Sequence, residues 1–464
     1  MSDNLQMEMA MVFMGELAFQ GVKDAVLSPG SRSTPLALAA LSSLRCHVAE
    51  DERSAAFFAL GQARRTGRPT VLVCTSGTAG AHYLPALMEA DLSCIPLIAV
   101  TADRPWEAQS CGANQTVFQQ NLFGTHVRRF LELGEPSSRT ADAARRIAAR
   151  TVTDSVSPVP GPVHVNARWR MPLEPRGQSV VARKAGVRVF LGVPGPDGDA
   201  VGHLAEVVAR CRRGWIVCGP LHCMQDRQTM GTLVSRLSEV TGYPVFTGVT
   251  GPFVDHCDGA LRRSALLLSS PSFRRQFAPD LIIEVNGPLV SSDYGALLEE
   301  ADTVTRVVLT PYSWVDPDGR ASAMVIGPLE PLLSQFVDAM APATDRSWME
   351  SLRAVDAAAH RGLRHLRHLG AGFLARHHAR ARLRRHARHP AAVRLRALRK
   401  RPPCQSPLHG AAGPDPCGGG GGLHPPDHPR RDHIGPRPPV RHLPSRQGHQ
   451  PQPHRLRPRT AQCR

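Results

Sequence analysis

The sequence lacks the features that would place it in a membrane or send it through one. No run of about 18 apolar residues occurs among its 464 residues, which argues against a membrane-spanning helix. The N-terminal segment MSDNLQMEMAMVFMGELAFQG has neither a basic start nor a small-residue cleavage site, so it does not look like a signal peptide. We therefore expect a cytoplasmic protein with no membrane partner.

Cysteines in a recognisable framework are also missing. The eleven cysteines are scattered singly apart from Cys218 and Cys223, and no pair has zinc-finger spacing. An odd number of cysteines without a framework is typical of reduced thiols in a cytoplasm rather than of disulfides. We predict no metal-ligating residue in this chain.

Excess positive charge is absent from the first three quarters of the chain. The formal net charge is +17, but residues 361–464 contain 22 Arg and 1 Lys against 3 Asp, a segment charge of +20. Residues 1–360 therefore carry −3. The overall basicity is no argument that this part binds nucleic acid, and we do not expect a nucleic-acid partner.

The segment 361–464 is poor in residues that build a core. It has one Phe, no Trp, Tyr, Met or Asn, and 16 of the 41 Pro, which predicts a disordered tail. A tail rich in Arg, Pro and His that follows a well-formed domain without a linker is what a GC-rich gene gives when it is read out of frame. We hypothesise a frameshift near codons 355–370. A basic nucleic-acid arm and a His-rich metal-binding segment are the alternatives.

The rest of the chain alternates apolar strands, such as TVLVCT and DLIIEVNG, with helices. This order predicts α/β domains with a doubly wound parallel sheet covered on both faces. We expect one such domain over 1–173, a linker over 174–198 and a second domain over 199–360. Among the helices we expect one from about Ala79 and a final one over SWMESLRAVDAAAHRGL. Asp51 and Glu52 open the helix DERSAAFFALGQARRTG, where Asp51 is the expected N-cap and an acidic first turn suits the helix dipole.

In an open parallel sheet, ligands bind beyond the carboxyl ends of the strands. Four segments that follow predicted strands are unusual there: SPGSRS (28–33) with Arg32, TSGTAG (75–80), TADRP (101–105) with Arg104, and CGANQT (111–116) with two amides. Arginines pair with carboxylates through two parallel hydrogen bonds. Two arginines and two amides at one sheet edge predict a site for an anionic, oxygen-rich substrate.

These segments together resemble one enzyme family. In order along the chain they are SPGSRSTPLALAA, EDERSAAFFALGQAR, TSGTAGAHYLPALMEA, TADRP and CGANQT. They look like the N-terminal domain of the 2-succinyl-5-enolpyruvyl-6-hydroxy-3-cyclohexene-1-carboxylate synthases of menaquinone biosynthesis. The resemblance covers roughly residues 5–170 and continues more faintly to about 355.

The resemblance implies a thiamine diphosphate enzyme with a pyrimidine-binding, a central and a diphosphate-binding domain, assembled as a homodimer or tetramer. Such an enzyme uses Mg²⁺ (or Mn²⁺), decarboxylates 2-oxoglutarate on the cofactor and adds the resulting acyl anion to isochorismate. By the same resemblance, Glu52 is the catalytic carboxyl group that hydrogen-bonds the 1′ nitrogen of the cofactor's aminopyrimidine ring.

The remaining site residues are carried over in the same way. Ser31 would face the cofactor and Arg32 the substrate. Arg104, Asn114 and Gln115 would hold substrate carboxylates and hydroxyls.

The sequence departs from the family in two places. Ser292 and Asp293 stand where a basic residue is expected after the strand at 281–285. No GDG motif followed by Asn-Asn is present, although these residues supply the oxygen ligands of the metal in this enzyme class. We therefore expect the chain as given to be inactive. An acetolactate-synthase-like or 2-oxoacid-decarboxylase-like enzyme, and a non-catalytic anion-binding module with a basic tail, remain alternatives.

Overall fold

A computed structural model shows two parallel β-sheets, each covered by helices. The structure describes residues 4–137, 140–175, 186–192, 195, 198–248, 256–301 and 303–364. The expectations for the tail beyond residue 364 lie outside the described residues. No helix in the described ranges is long and apolar enough to cross a membrane.

The first sheet has six parallel strands in the order β2-β1-β3-β4-β6-β5. The strands are β1 Asp24–Leu27, β2 Arg45–Val48, β3 Thr70–Cys74, β4 Leu97–Asp103, β5 Arg129–Gly134 and β6 Pro162–Arg168. The central strands β1, β3, β4 and β6 are buried along their whole length. Because both faces of these strands are covered, they read as continuous apolar runs in the sequence.

Five helices cover the two faces of this sheet: α1 Leu5–Phe19, α2 Thr34–Ser43, α3 Glu52–Thr66, α4 Leu84–Leu92 and α5 Thr140–Val156. Helices α1, α2 and α5 share one hydrophobic core with one face of the sheet. Helices α3 and α4 share another core with the opposite face. The prediction of a doubly wound α/β domain is confirmed.

The local signals at α3 are confirmed as well, whereas one predicted helix start is wrong. The Asp51 carboxylate accepts a hydrogen bond from the Ser54 backbone N–H at 2.7 Å, and Gly67 ends the helix in the left-handed conformation. A helix was expected from about Ala79, but Gly77–Tyr83 form a 3₁₀ segment and α4 begins only at Leu84. Pro85 favours that position because a first helical turn does not need its missing N–H.

The second sheet also has six parallel strands, in the order β12-β11-β10-β7-β8-β9. The strands are β7 Gly214–Cys218, β8 Val245–Thr247, β9 Ala260–Leu261, β10 Leu281–Val285, β11 Thr305–Thr310 and β12 Ala323–Ile326. The helices around it are α6 Gly198–Arg210, α7 Arg227–Thr241, α8 Ser264–Leu268, α9 Pro271–Gln276, α10 Ser292–Glu300 and α11 Leu329–Ala339. A further helix, predicted from SWMESLRAVDAAAHRGL, covers residues 347–364.

The two sheets have separate hydrophobic cores. Along the chain, the core of the first sheet extends to Leu173, and that of the second sheet starts at Leu204. Helix 347–364 packs on the second sheet through Leu352. The domain boundaries at residues 173, 198 and 360 stay predictions.

Candidate active site

The candidate site lies at the carboxyl ends of the strands of the first sheet, where the strand order reverses between β1 and β3. Loops diverge at such a switch point and leave a crevice for a ligand. Here the loop 28–33 after β1 meets the loop 75–80 after β3. The contact is close, because a Cβ atom at position 30 would lie 2.4 Å from the Thr75 Cβ. A residue with a side chain larger than that of glycine therefore does not fit at position 30 without a shift of Thr75.

Glu52 stands at this edge as the first residue of α3, just after β2. Its side chain is half-buried, and its carboxylate has no hydrogen-bond or ion-pair partner among the residues that the structure describes. The pKa of the Cys74 thiol at the end of β3 is raised to about 12, chiefly by burial and further by the nearby Glu52 carboxylate. Glu52 thus faces the ends of the central strands with its carboxylate free to bind a ligand.

Arg32 and Arg104 are brought close together at the same edge. Arg32 is 7% exposed, and its Nη1 donates to the backbone carbonyl of Trp169 at 2.7 Å. Burial and then the neighbouring Arg104 lower the pKa of the Arg32 guanidinium. The nearby Asp103 carboxylate opposes this lowering. The Nε of Arg104 is buried and has no hydrogen-bond partner among the described residues. Two adjacent guanidinium groups favour binding of a carboxylate.

The other predicted site residues, Ser31, Asn114 and Gln115, are more exposed than Arg32. Ser31 is exposed in a short 3₁₀ turn before α2. The Gln115 side-chain amide donates to the Ser76 carbonyl at 3.1 Å, and the Ser76 hydroxyl donates to the Gln115 carbonyl at 3.1 Å. Gln115 therefore lies against the loop 75–80, although it is exposed, as is the neighbouring Asn114.

A buried polar network beneath the site was not predicted from the sequence. The Gln119 side-chain oxygen Oε1 accepts from the Gly77 backbone N–H at 2.8 Å. Its amide nitrogen donates to the Ala102 carbonyl and to Asn166 Oδ1, both at 3.0 Å. Because Gln119 is 1% exposed, these bonds fix the loop after β3 to the end of β4.

Arg168 supports the loop that carries Arg104. Its Nη1 lies 3.0 Å from Asp103 Oδ2 and donates to the Arg104 carbonyl at 3.0 Å. Its guanidinium also stacks over the ring of Trp106, 3.9 Å from the centroid. The signal for this network was present in the sequence, since Asn166 and Arg168 interrupt an otherwise apolar strand.

The second sheet contributes no cation at the position where the family was expected to have one. Ser292 is exposed and Asp293 is half-buried in the first turn of α10, and Ser291 caps that helix through the Tyr294 backbone N–H. Both side chains therefore belong to an ordinary capped helix start.

Comparison with known proteins identifies the family. Residues 7–127 match the family described as thiamine pyrophosphate enzyme, N-terminal TPP binding domain. The chain is 48% identical over 345 residues to the 2-succinyl-5-enolpyruvyl-6-hydroxy-3-cyclohexene-1-carboxylate synthase of Sorangium cellulosum, covering 70% of this chain and 56% of the relative. The synthase of Dechloromonas aromatica is 37% identical over 347 residues, covering 73% and 64%. Over these matched residues the chain belongs to this synthase family.

The chain spans 56% and 64% of the length of these two relatives.

Solved structures show the same fold at low identity. Benzoylformate decarboxylase from Polynucleobacter necessarius superposes with a TM-score of 0.55 at 16% identity, covering 73% of this chain and 62% of that one. A putative thiamin diphosphate-dependent enzyme from Mycobacterium smegmatis gives 0.54 at 17% identity, covering 73% and 63%.

The described residues fit one end of thiamine diphosphate. The free carboxylate of Glu52 beside the β1/β3 crevice suits the ring nitrogen of an aminopyrimidine. Residues for the other end are not found in the described ranges, where no group of three or more His, Cys, Asp or Glu side chains could hold a metal ion.

Proposed function

We propose that residues 1–173 supply the pyrimidine-binding domain, and residues 199–360 the central domain, of a thiamine diphosphate-dependent carboligase of menaquinone biosynthesis. The observation that carries the proposal is the Glu52 carboxylate, unpartnered and half-buried at the switch point of a sheet whose sequence belongs to the synthase family. The bound cofactor would supply the electron sink for decarboxylation.

Glu52 would hold a proton at its carboxylate oxygen, shared with the 1′ nitrogen of the aminopyrimidine. A carboxyl group in a partly apolar pocket can share a proton in this way more readily than one in water. Ala55, Ala56 and Ala59, all fully buried on α3, anchor the helix that presents Glu52. The role of Ser31 beside the cofactor is part of the same proposal.

Arg32 and Arg104 would bind and orient the substrate carboxylates of 2-oxoglutarate and isochorismate. Support comes from their mutual proximity, because a carboxylate between them would relieve the repulsion and satisfy the buried Arg104 Nε. Gln115 and Asn114 would complete the polar rim of this pocket. The product would be the compound after which the family is named.

The chain as given would not turn over these substrates. No GDG and Asn-Asn motif is present to hold a metal-bound diphosphate. We attribute its absence to a change of reading frame near codons 355–370, where the composition changes. In an intact dimer or tetramer, the restored segment would supply the diphosphate-binding half.

The experiment begins with the coding DNA across codons 340–400, translated in all three frames. If another frame encodes GDG and Asn-Asn, the corrected chain is tested with isochorismate and 2-oxoglutarate. We expect activity from the corrected chain, none from the chain as given, and a loss of about 100-fold or more in Glu52→Gln.

Glu50→Gln is the matched control, because Glu50 is exposed and two residues away. A corrected chain that is active on pyruvate or another 2-oxoacid alone, and inactive on isochorismate, would favour the acetolactate-synthase or decarboxylase type. Equal activity of the Glu52→Gln variant and the corrected parent would refute the role of Glu52.

A further inference from the structure

Two cysteines from different sheets meet away from the candidate active site. Cys94 follows α4 of the first sheet, and Cys223 follows β7 of the second. The Cys223 thiol lies 3.9 Å from the Cys94 backbone carbonyl oxygen, to which it donates a weak hydrogen bond. Both cysteines are free thiols in this structure.

The backbone of the first domain packs closely against the Cys223 loop of the second. A Cβ atom at Gly67, the residue that ends α3, would lie 2.6 Å from the Cys223 carbonyl oxygen. Cys94 is held with a φ of 51°, in the left-handed region that few non-glycine residues adopt. The backbone on both sides is therefore fixed, and the two cysteines stay next to each other.

Each thiol has an arginine beside it. Arg128 Nη2 lies 4.0 Å from Cys94 Sγ, and Arg64 is close enough to Cys223 to lower its pKa. Burial has the larger effect and raises the pKa of both thiols, that of Cys223 to about 11. The arginines favour the thiolate that either sulfur must form before it reacts.

Both cysteines line cavities, although Cys94 is only 5% exposed. Cys94 lines an open groove of about 430 Å³ together with Arg128 and Ser313. Cys223 lines a second cavity of about 170 Å³ with Arg64 and His222. In contrast, Cys74 and Cys218 are fully buried within strands β3 and β7.

We propose that Cys94 and Cys223 form a redox-sensitive disulfide that ties the first sheet to the second. This inference is independent of the proposed catalytic function. The sequence predicts reduced thiols, and in this proposal the two cysteines remain reduced until an oxidant joins them in a disulfide.

The chemistry balances with hydrogen peroxide as the oxidant. The Cys94 thiolate attacks one peroxide oxygen, so an S–O bond forms, the O–O bond breaks and one water leaves. The Cys223 thiolate then attacks the Cys94 sulfur, which forms the S–S bond, breaks the S–O bond and releases a second water. Two thiols and one peroxide give one disulfide and two waters.

The test uses the full chain, reduced, freed of reductant and treated with hydrogen peroxide. A non-reducing digest is then analysed by mass spectrometry, with fragment ions that assign each linked sulfur. We expect a Cys94–Cys223 linkage that disappears on reduction and is lost in Cys94→Ser and in Cys223→Ser. Cys74→Ser and Cys218→Ser are the matched controls and should retain it.

A wild-type digest in which Cys94 or the exposed Cys111 is oxidised without any Cys94–Cys223 linkage would overturn the proposal. So would a dominant linkage of either cysteine to Cys74, Cys218 or Cys257. Because the wild-type linkage is read directly, the result does not depend on the folding of the serine variants.

Discussion

The two sheets have the same number of parallel strands, and each buries an arginine against a carboxylate, Arg168 with Asp103 in the first and Arg306 with Glu284 in the second. They differ in that the first sheet also holds a pair of adjacent arginines. In the first sheet, Arg32 and Arg104 lie together and Arg104 Nε has no partner among the described residues. In the second, the Arg306 guanidinium lies 2.9 Å from Glu284, 3.1 Å from Asp316 and 2.6 Å from Asp318. The first arrangement leaves charge available to a ligand, whereas the second uses its charge to hold the fold.

The Arg306 side chain is 1% exposed and is paired with three carboxylates. Glu284 is fully buried, and the Tyr294 hydroxyl donates to its carboxylate at 2.5 Å. Burial raises the pKa of Glu284, and the hydrogen bonds from Tyr294 and Arg306 oppose that rise. The charges around Glu284 are therefore paired within the fold.

Removing the central cation of the network around Arg306 should have the largest effect on stability. Arg306→Met leaves the buried Glu284 without its cation, which should lower the free energy of unfolding by about 3–5 kcal/mol. Urea unfolding followed by circular dichroism measures this loss. Arg236→Ala breaks the exposed pair with Asp338 and should cost less than about 1 kcal/mol. Equal losses in both variants would contradict the conclusion that the buried network around Arg306 stabilises the fold more than an exposed ion pair does.

The close approach of two loops at the first sheet can be tested with one methyl group. Gly30→Ala places a Cβ against Thr75 and should lower the free energy of unfolding by about 1–3 kcal/mol. Gly61→Ala is the matched control within α3, where a Cβ meets nothing within 4 Å. That variant should be stabilising by up to about 1 kcal/mol, because alanine favours a helix interior. Thermal unfolding of both variants distinguishes crowding at the loop from a general effect of added methyl groups.

Stability should also depend on pH through a buried histidine of the first sheet. His164 is fully buried between Phe123 and Phe130, and burial lowers its pKa from 6.5 to about 3. The unfolded chain therefore takes up a proton at His164 below about pH 6.5, while the folded chain does not. The stability from neutral His164 is complete above that pH and declines as pH falls toward 3.

The measurement is the free energy of unfolding at pH 7.5 and pH 5.5. His164→Gln should reduce the pH-dependent loss by about 1.4 kcal/mol relative to wild type. Substitution of the exposed His203 by Gln should leave the loss unchanged. An unchanged loss in His164→Gln would show that His164 is not the group responsible.

The smallest effect on stability is expected at the open charge cluster itself. Arg32→Met removes the hydrogen bond to the Trp169 carbonyl but also the repulsion from Arg104, so the free energy of unfolding should change by less than about 1 kcal/mol. Binding of 2-oxoglutarate, measured by calorimetry, should weaken at least tenfold if this site is the one proposed. A large loss of stability in this variant would mean that Arg32, like Arg306, is mainly structural.

Much of the fold could be read from local signals. Apolar runs such as TVLVCT and DLIIEVNG gave buried parallel strands, and the Asp51 cap and Gly67 bracket α3 as expected from their chemistry. Strand β5 and helix α5 were not predicted. The strand RFLELG is only partly buried, so its apolar residues do not form a continuous run.

The sequence by itself determined the alternation of strands and helices, the parallel sheets and the family to which the matched residues belong. These follow from periodicity, capping and motif order, which act over a few residues. Only the tertiary structure decided that Arg32 and Arg104 are neighbours, that Gln119 and Arg168 support their loops, and that Cys94 meets Cys223. Such contacts join residues from 17 to 129 positions apart, and their energies depend on burial and on neighbouring charge, which no local pattern contains.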